Sequence, residues 1–216
     1  MSTNKKSGLT NLMQSDTMST GNEREVDIMF ELAAKKPKLT ILAMSQIAVC
    51  AALLCVSAYI SIPLPFIPVP FTMQVLMVVL VALILKPVYA LIAQVLYTLL
   101  GVVGLPVFSG GKSGFGTILS PTGGFIIGFI IAAFLVSLLK GKKDNIVRFI
   151  LISIFVGIPC IYIPGIAFYM IYANADLITA ITALTSVFIV VDIAKCVIAS
   201  ILAILIRKAL VKARLL

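Results

Sequence analysis

The chain has 216 residues, 61% of them hydrophobic and only 12% charged, with 17 Lys and Arg against 8 Asp and Glu. That balance excludes an ordinary soluble domain and points to a polytopic membrane protein. The net charge of +9 does not argue for nucleic acid, because Lys and Arg cluster beside the apolar segments, where they set topology and face lipid headgroups.

The chain has no His, and its four cysteines, Cys50, Cys55, Cys160 and Cys196, all fall in apolar runs without metal-ligand spacing. No metal, cofactor or disulfide is expected. Residues 1–38 form a polar cytoplasmic tail in which Ser2–Gly21 reads as disordered. Asn22–Ala34 has the spacing of a short amphipathic helix through Val26, Met29, Phe30 and Leu32.

From residue 39 the chain is dominated by charge-free stretches, Leu39–Leu85, Pro87–Gly111, Ser113–Leu139 and Phe149–Ala175. A span needs about 20 apolar residues, so the first stretch crosses twice. The proline-rich Ile62–Pro70 supplies the break, since proline cannot continue a helix. Spans are predicted at 39–61, 72–85, 88–104, 121–139, 147–172 and 184–206. The expected fold is an all-α integral membrane protein, a six-transmembrane-helix bundle forming one domain over 39–212. Its second span is short, starting within the membrane or partly covered by the proline loop.

Lys35, Lys36, Lys38, Lys86, Lys140, Lys142, Lys143, Arg148, Arg207, Lys208, Lys212 and Arg214 then fall on one side, with Lys112 on the other. The positive-inside rule places both termini in the cytoplasm. The long outward-facing Gly-rich loop Gly104–Phe125 carries Phe108, Phe115, Ile118 and Leu119, so it should fold back as a lid over a cavity, or pack there for stability alone.

Gly111-Lys112-Ser113 resembles the tail of a phosphate-binding loop, but Pro106 stands where that motif needs glycine. Ser120-Pro121 reads as an N-cap and first helical residue. Thr122, Gly123 and Gly124 then offer backbone N–H groups that, with Lys112, suit a carboxylate; an ordinary capped helix start beside a solvated lysine is the alternative. Gln74 is a lone amide that orients a ligand or bonds a neighbouring helix. Ala48 and Ala52, with Ala43 and Ala51 nearby, permit close helix approach, either inside the bundle or to another membrane protein.

Asp192 and Lys195 lie within the apolar run Val187–Ile206. A charge at the centre of a membrane helix costs about 2.5–3.5 kcal/mol on insertion scales, so such residues pair or serve a pathway. Their i, i+3 spacing puts both on one helix face. The alternatives are a structural ion pair and a binding site for an amide or urea, whose N–H groups an ionised Asp accepts and whose carbonyl a Lys donates to.

Pro68-Val-Pro70 with Thr72 and Gln74, Gly110-Gly111 through Gly114 followed by Pro121-Thr-Gly-Gly124 and Gly128-Phe129, and Asp192-x-x-Lys195 together resemble the BioY family, the biotin-specific S components of energy-coupling factor transporters. The resemblance covers roughly 39–212. Phe125 stands where the family commonly has Tyr, Ser113 where a second Gly-Gly pair would begin, and Val190-Val191 where Pro-Gly is usual.

The resemblance implies capture of biotin from outside, with Asp192 and Lys195 on its ureido ring and the Gly-rich loop closing above. Gln74, Lys112, Thr122, Gly123, Gly124 and Phe125 complete the expected site, the carboxylate lying near Thr122–Gly124. It also implies a membrane coupling subunit and two ATPase subunits as partners in the cell membrane, docked through Ala48 and Ala52. A stand-alone secondary carrier using Asp192 as a proton site is the second transport reading. An intramembrane enzyme lacks the raw material, having no His and one intramembrane carboxylate.

Overall fold

Charge, proline and capping residues set the ends of the helices. In the computed structural model residues 40–65 and 67–213 are described, and they belong to one unit, Lys38–Leu216. The polar tail, its expected helix at Asn22–Ala34, and Arg214 lie outside the described residues. The main helices are α1 (Ile41–Tyr59), α2 (Gln74–Ile84), α3 (Pro87–Val103), α4 (Gly123–Leu139), α5 (Ile146–Ala173) and α6 (Leu177–Lys212). By length and composition α1, α5 and α6 can cross a membrane, while α2, α3 and α4 are apolar but shorter.

Five of these fall within two residues of the predicted spans. The sixth does not: α6 begins at Leu177 rather than 184 and runs to Lys212. Asp176 caps it through Thr179 N (3.2 Å), and the Thr182 hydroxyl donates to Ile178 O (2.8 Å). Hydroxyls bonded inside the helix keep a polar first turn helical, which hydropathy alone cannot register. Ser120 likewise does not cap α4, which begins at Gly123 with no side-chain cap. Its hydroxyl instead donates to Thr117 O (2.7 Å) and lies 2.8 Å from the Thr122 hydroxyl, so Pro121 sits in a turn before the helix.

The proline segment is also more than a break. It forms an antiparallel hairpin, β1 (Ser61–Leu64) with β2 (Ile67–Thr72), pairing Ser61 with Thr72, Ile62 with Phe71 and Leu64 with Ile67. Both strands of a two-stranded hairpin are edges, so prolines that lack an N–H are tolerated where the missing donor would face outward. The expectation of an all-α chain is corrected to this extent.

The core centres on α2, where Val75, Leu76, Val78, Val79, Leu80, Val81, Ala82 and Leu83 are all buried. Close backbone packing joins α4 to α5. A Cβ at Gly124 would sit 2.2 Å from Pro164 O, and one at Gly128 2.7 Å from Ile161 Cα. In α5 a π-turn occupies Ser153–Gly157, just before Pro159.

The last carbonyls of α2 accept from later parts of the chain. Lys140 Nζ donates to Ala82 O (2.9 Å) and to Leu85 O, which also accepts from the Ser137 hydroxyl (2.6 Å). Arg207 Nη1 donates to Leu83 O (3.2 Å) and Ile84 O (3.3 Å), and its Nε pairs with Asp144 Oδ1 (2.6 Å). These cations satisfy the carbonyls that every helix end leaves without a partner and complement its negative dipole. Ala48 and Ala52 lie on the exposed side of α1, whereas Ala43 and Ala51 are buried.

Candidate functional site

A cavity opens at the other end of α2, beside Gln74. Val69, Pro70 and Thr72 of the hairpin form one wall, Thr122, Phe125, Ile126 and Phe129 of α4 and its approach another, and Phe188, Asp192 and Lys195 of α6 a third. Gln74, Val75, Tyr97, Ser109 and Tyr162 complete it. Most of this surface is aromatic or aliphatic, with a few convergent polar groups, as in a small-molecule site.

Asp192 and Lys195, each 4% exposed, meet through Lys195 Nζ and Asp192 Oδ1 at 2.8 Å. The Tyr162 hydroxyl donates to Asp192 Oδ2 at 2.8 Å. Lys195 Nζ also donates to Thr72 O (2.7 Å) and lies 3.9 Å from the centre of the Phe71 ring. Each charge thus has an opposite charge, a hydrogen bond and, for the ammonium, an aromatic face. These are the conditions under which buried charges persist. The result is a neutral polar cluster able to donate and accept at a cavity wall.

Gln74 Nε2 donates to the Tyr97 hydroxyl at 2.5 Å, which holds the amide across the mouth of α2. Phe125 meets Tyr162 edge-on, ring centres 6.2 Å apart, and needs the missing side chain of Gly165, whose Cβ would lie 2.7 Å from that ring. Phe108 anchors the Gly-rich loop. Its ring is buried, packs edge-on to Tyr97 at 5.8 Å, and fills the space a Cβ at Gly101 would enter. Gly110 (φ 72°) and Gly111 (φ 74°) turn the chain after it in the left-handed region that favours glycine. Ile118 is half-buried against the core, but Phe115 and Leu119 are exposed rather than folded back.

Of the residues singled out from sequence, Asp192, Lys195, Gln74, Thr122 and Phe125 share the cavity. Gly123, Gly124 and Lys112 are not among its lining. The Gly123 N–H bonds Ser120 O (2.9 Å), Gly124 packs on Pro164, and the Lys112 side chain is exposed. Val190 and Val191 continue the regular helix on the exposed side of α6. Tyr162, Tyr97 and the Thr72 carbonyl were missed. A tyrosine inside an apolar span was the available signal, since a buried phenol needs a partner.

The sequence model of the BioY family matches residues 32–212. Among similar proteins, the biotin transporter BioY of Thermotoga maritima is 39% identical over 157 residues, covering 73% of this chain and 90% of the relative. The probable biotin transporter BioY of Bacillus subtilis is 34% identical over 175 residues, covering 80% and 94%. The crystal structure of the S-component for biotin from an ECF-type ABC transporter superposes with a TM-score of 0.72 at 26% identity, covering 77% of this chain and 90% of that one. The chain therefore belongs to the BioY family.

Proposed function

We propose that this protein is the biotin-binding membrane subunit of an ATP-driven vitamin importer and performs no chemistry on its substrate. The observation that carries the reading is the Asp192–Lys195–Tyr162 cluster, a neutral donor and acceptor set buried against aromatic walls. A urea matches it at one end. The opposite end of biotin is a carboxylate, which in this reading lies near Thr122–Gly124 at the start of α4, where Thr122 reaches the cavity. Biotin binding to the purified protein, compared with Asp192→Asn and Lys195→Met, tests the assignment; undiminished binding in both variants refutes it. Biotin methyl ester binding as tightly as biotin would refute the placement of the carboxylate.

In this reading all six helices cross the cell membrane of a prokaryote with both termini in the cytoplasm. Lys140, Arg148 and Arg207 supply the support, since they gather at the Leu85 end of α2, away from the cavity. The cavity then faces outward beneath the Phe108-anchored loop, with Lys112 at its margin. Energy comes from a membrane coupling subunit and two ATPases, docked on the exposed Ala48 and Ala52. Pull-down of the assembled complex with Ala48→Trp measures that role, and an intact complex excludes it. A proton relay through Asp192 is disfavoured, because both carboxylate oxygens are already held.

A further inference from the structure

At the Leu85 end of the bundle, away from the vitamin cavity, a shallow groove runs between the end of α4 and the start of α5. Leu139, Val147, Leu151 and Ile152 line it, with Asn145 and Arg148 at its head. Arg148 is fixed there, its Nε and Nη2 donating to Leu139 O at 3.2 and 3.0 Å. The loop above it reads Lys140-Gly-Lys-Lys-Asp-Asn145. Lys140 is committed to the carbonyls of α2, and Asp144, the acid of this loop, is committed to Arg207. Lys142 and Lys143 are exposed and make no hydrogen bond or ion pair among the described residues.

The local field over the groove is therefore positive and unneutralised. Below it, Val147, Leu151 and Phe155 form an exposed apolar stripe at four-residue spacing along α5, the direction in which an acyl chain lies beside a membrane helix. We infer that this groove binds an anionic phospholipid, its phosphate under Lys142, Lys143 and Arg148 and one acyl chain along Val147, Leu151 and Phe155. Cationic clusters at the membrane boundary recognise anionic headgroups in this way. An acidic peptide would satisfy the lysines but not the axial apolar stripe. The inference does not depend on what the vitamin cavity binds.

The test is native mass spectrometry of the full chain, purified in detergent and offered equal phosphatidylglycerol and phosphatidylcholine of matched acyl chains. The expected result is a dominant phosphatidylglycerol adduct. Lys142→Gln/Lys143→Gln, both in an exposed loop, should reduce the preference about fivefold for each lysine. Lys86→Gln/Lys212→Gln, which removes equal charge elsewhere, should leave it intact. Glycerol 3-phosphate at the same concentration should not displace the lipid. Equal adducts of both lipids in the unaltered protein, or a preference untouched by Lys142→Gln/Lys143→Gln, overturns the proposal. So does an equal fall with the control pair, or displacement by glycerol 3-phosphate.

Discussion

Tyr162 on α5 donates its hydroxyl proton to Asp192 Oδ2 on α6 at 2.8 Å, across 30 positions of sequence. This bond fixes which way the carboxylate turns: Oδ1 faces Lys195 and Oδ2 faces the tyrosine. It also ties the cavity wall to the helix that carries the π-turn.

Tyr162→Phe removes that proton and little else. A hydrogen bond to a charged group contributes about 1.5–3 kcal/mol to stability, and with Asp192 Oδ2 no longer oriented biotin should bind more weakly while the fold is retained. Isothermal titration of both proteins settles it; matched affinities would mean that the tyrosine serves only stability.

Lys195→Met should harm the fold more than the paired change Asp192→Asn/Lys195→Met. Removing one partner of a buried ion pair costs about 3–5 kcal/mol because the other charge stays buried alone. Removing both charges avoids that penalty. Thermal unfolding in detergent should rank the double variant above Lys195→Met, and the reverse order would show that Asp192 is not held by the lysine.

Gly128→Val drives a branched side chain into the backbone of α5 at Cys160 and Ile161, where even a Cβ is 2.7–2.8 Å from the nearest atoms. Overpacking of this kind costs about 1–3 kcal/mol. Gly116, which has nothing within 4 Å of its would-be Cβ, is the control: Gly116→Ala should melt like the unaltered protein, and Gly128→Val well below it.

Asp176 lies outside the membrane helices, and the Thr179 hydroxyl and amide that bond it hold its carboxyl below the ordinary carboxylate range. A depressed folded value means that its stabilisation is present above the unfolded pKa and is lost as pH falls through the folded one. Asn caps a helix about as well as Asp, so Asp176→Asn should match the unaltered protein near neutrality. It should then lose less melting temperature between about pH 5 and pH 3, the range in which an Asp titrates. Parallel acid profiles would remove this residue from the account.

Spans were legible where charge and proline bracket an apolar run: Lys86-Pro87 marks the α2–α3 junction and Lys140 the end of α4. The early start of α6 was not, because Thr179 and Thr182 are polar by composition yet satisfied, the first by the capping Asp176 and the second by Ile178 O. The hairpin was hidden by four prolines that argue against any strand. At the site, Asp192 and Lys195 stood out because charge is costly in an apolar run. Tyr162 and Tyr97 did not, since an amphipathic ring resembles core until its hydroxyl partner, 30 or 23 positions away, is known.

The dimensions of α2 govern how such a chain can be made. Its 11 residues rise about 16 Å at 1.5 Å per residue, roughly half the bilayer's hydrocarbon thickness. The groups that receive its last carbonyls, Lys140 and Arg207, are synthesised 55–58 and 123–124 positions later. Emerging from the ribosome, α2 is too short to settle in lipid alone and has nothing to close its end. Ser137 and Lys140 close part of that end when α4 arrives, and Arg207 of α6 closes the rest, so the end of α2 is complete only once the final helix is in place.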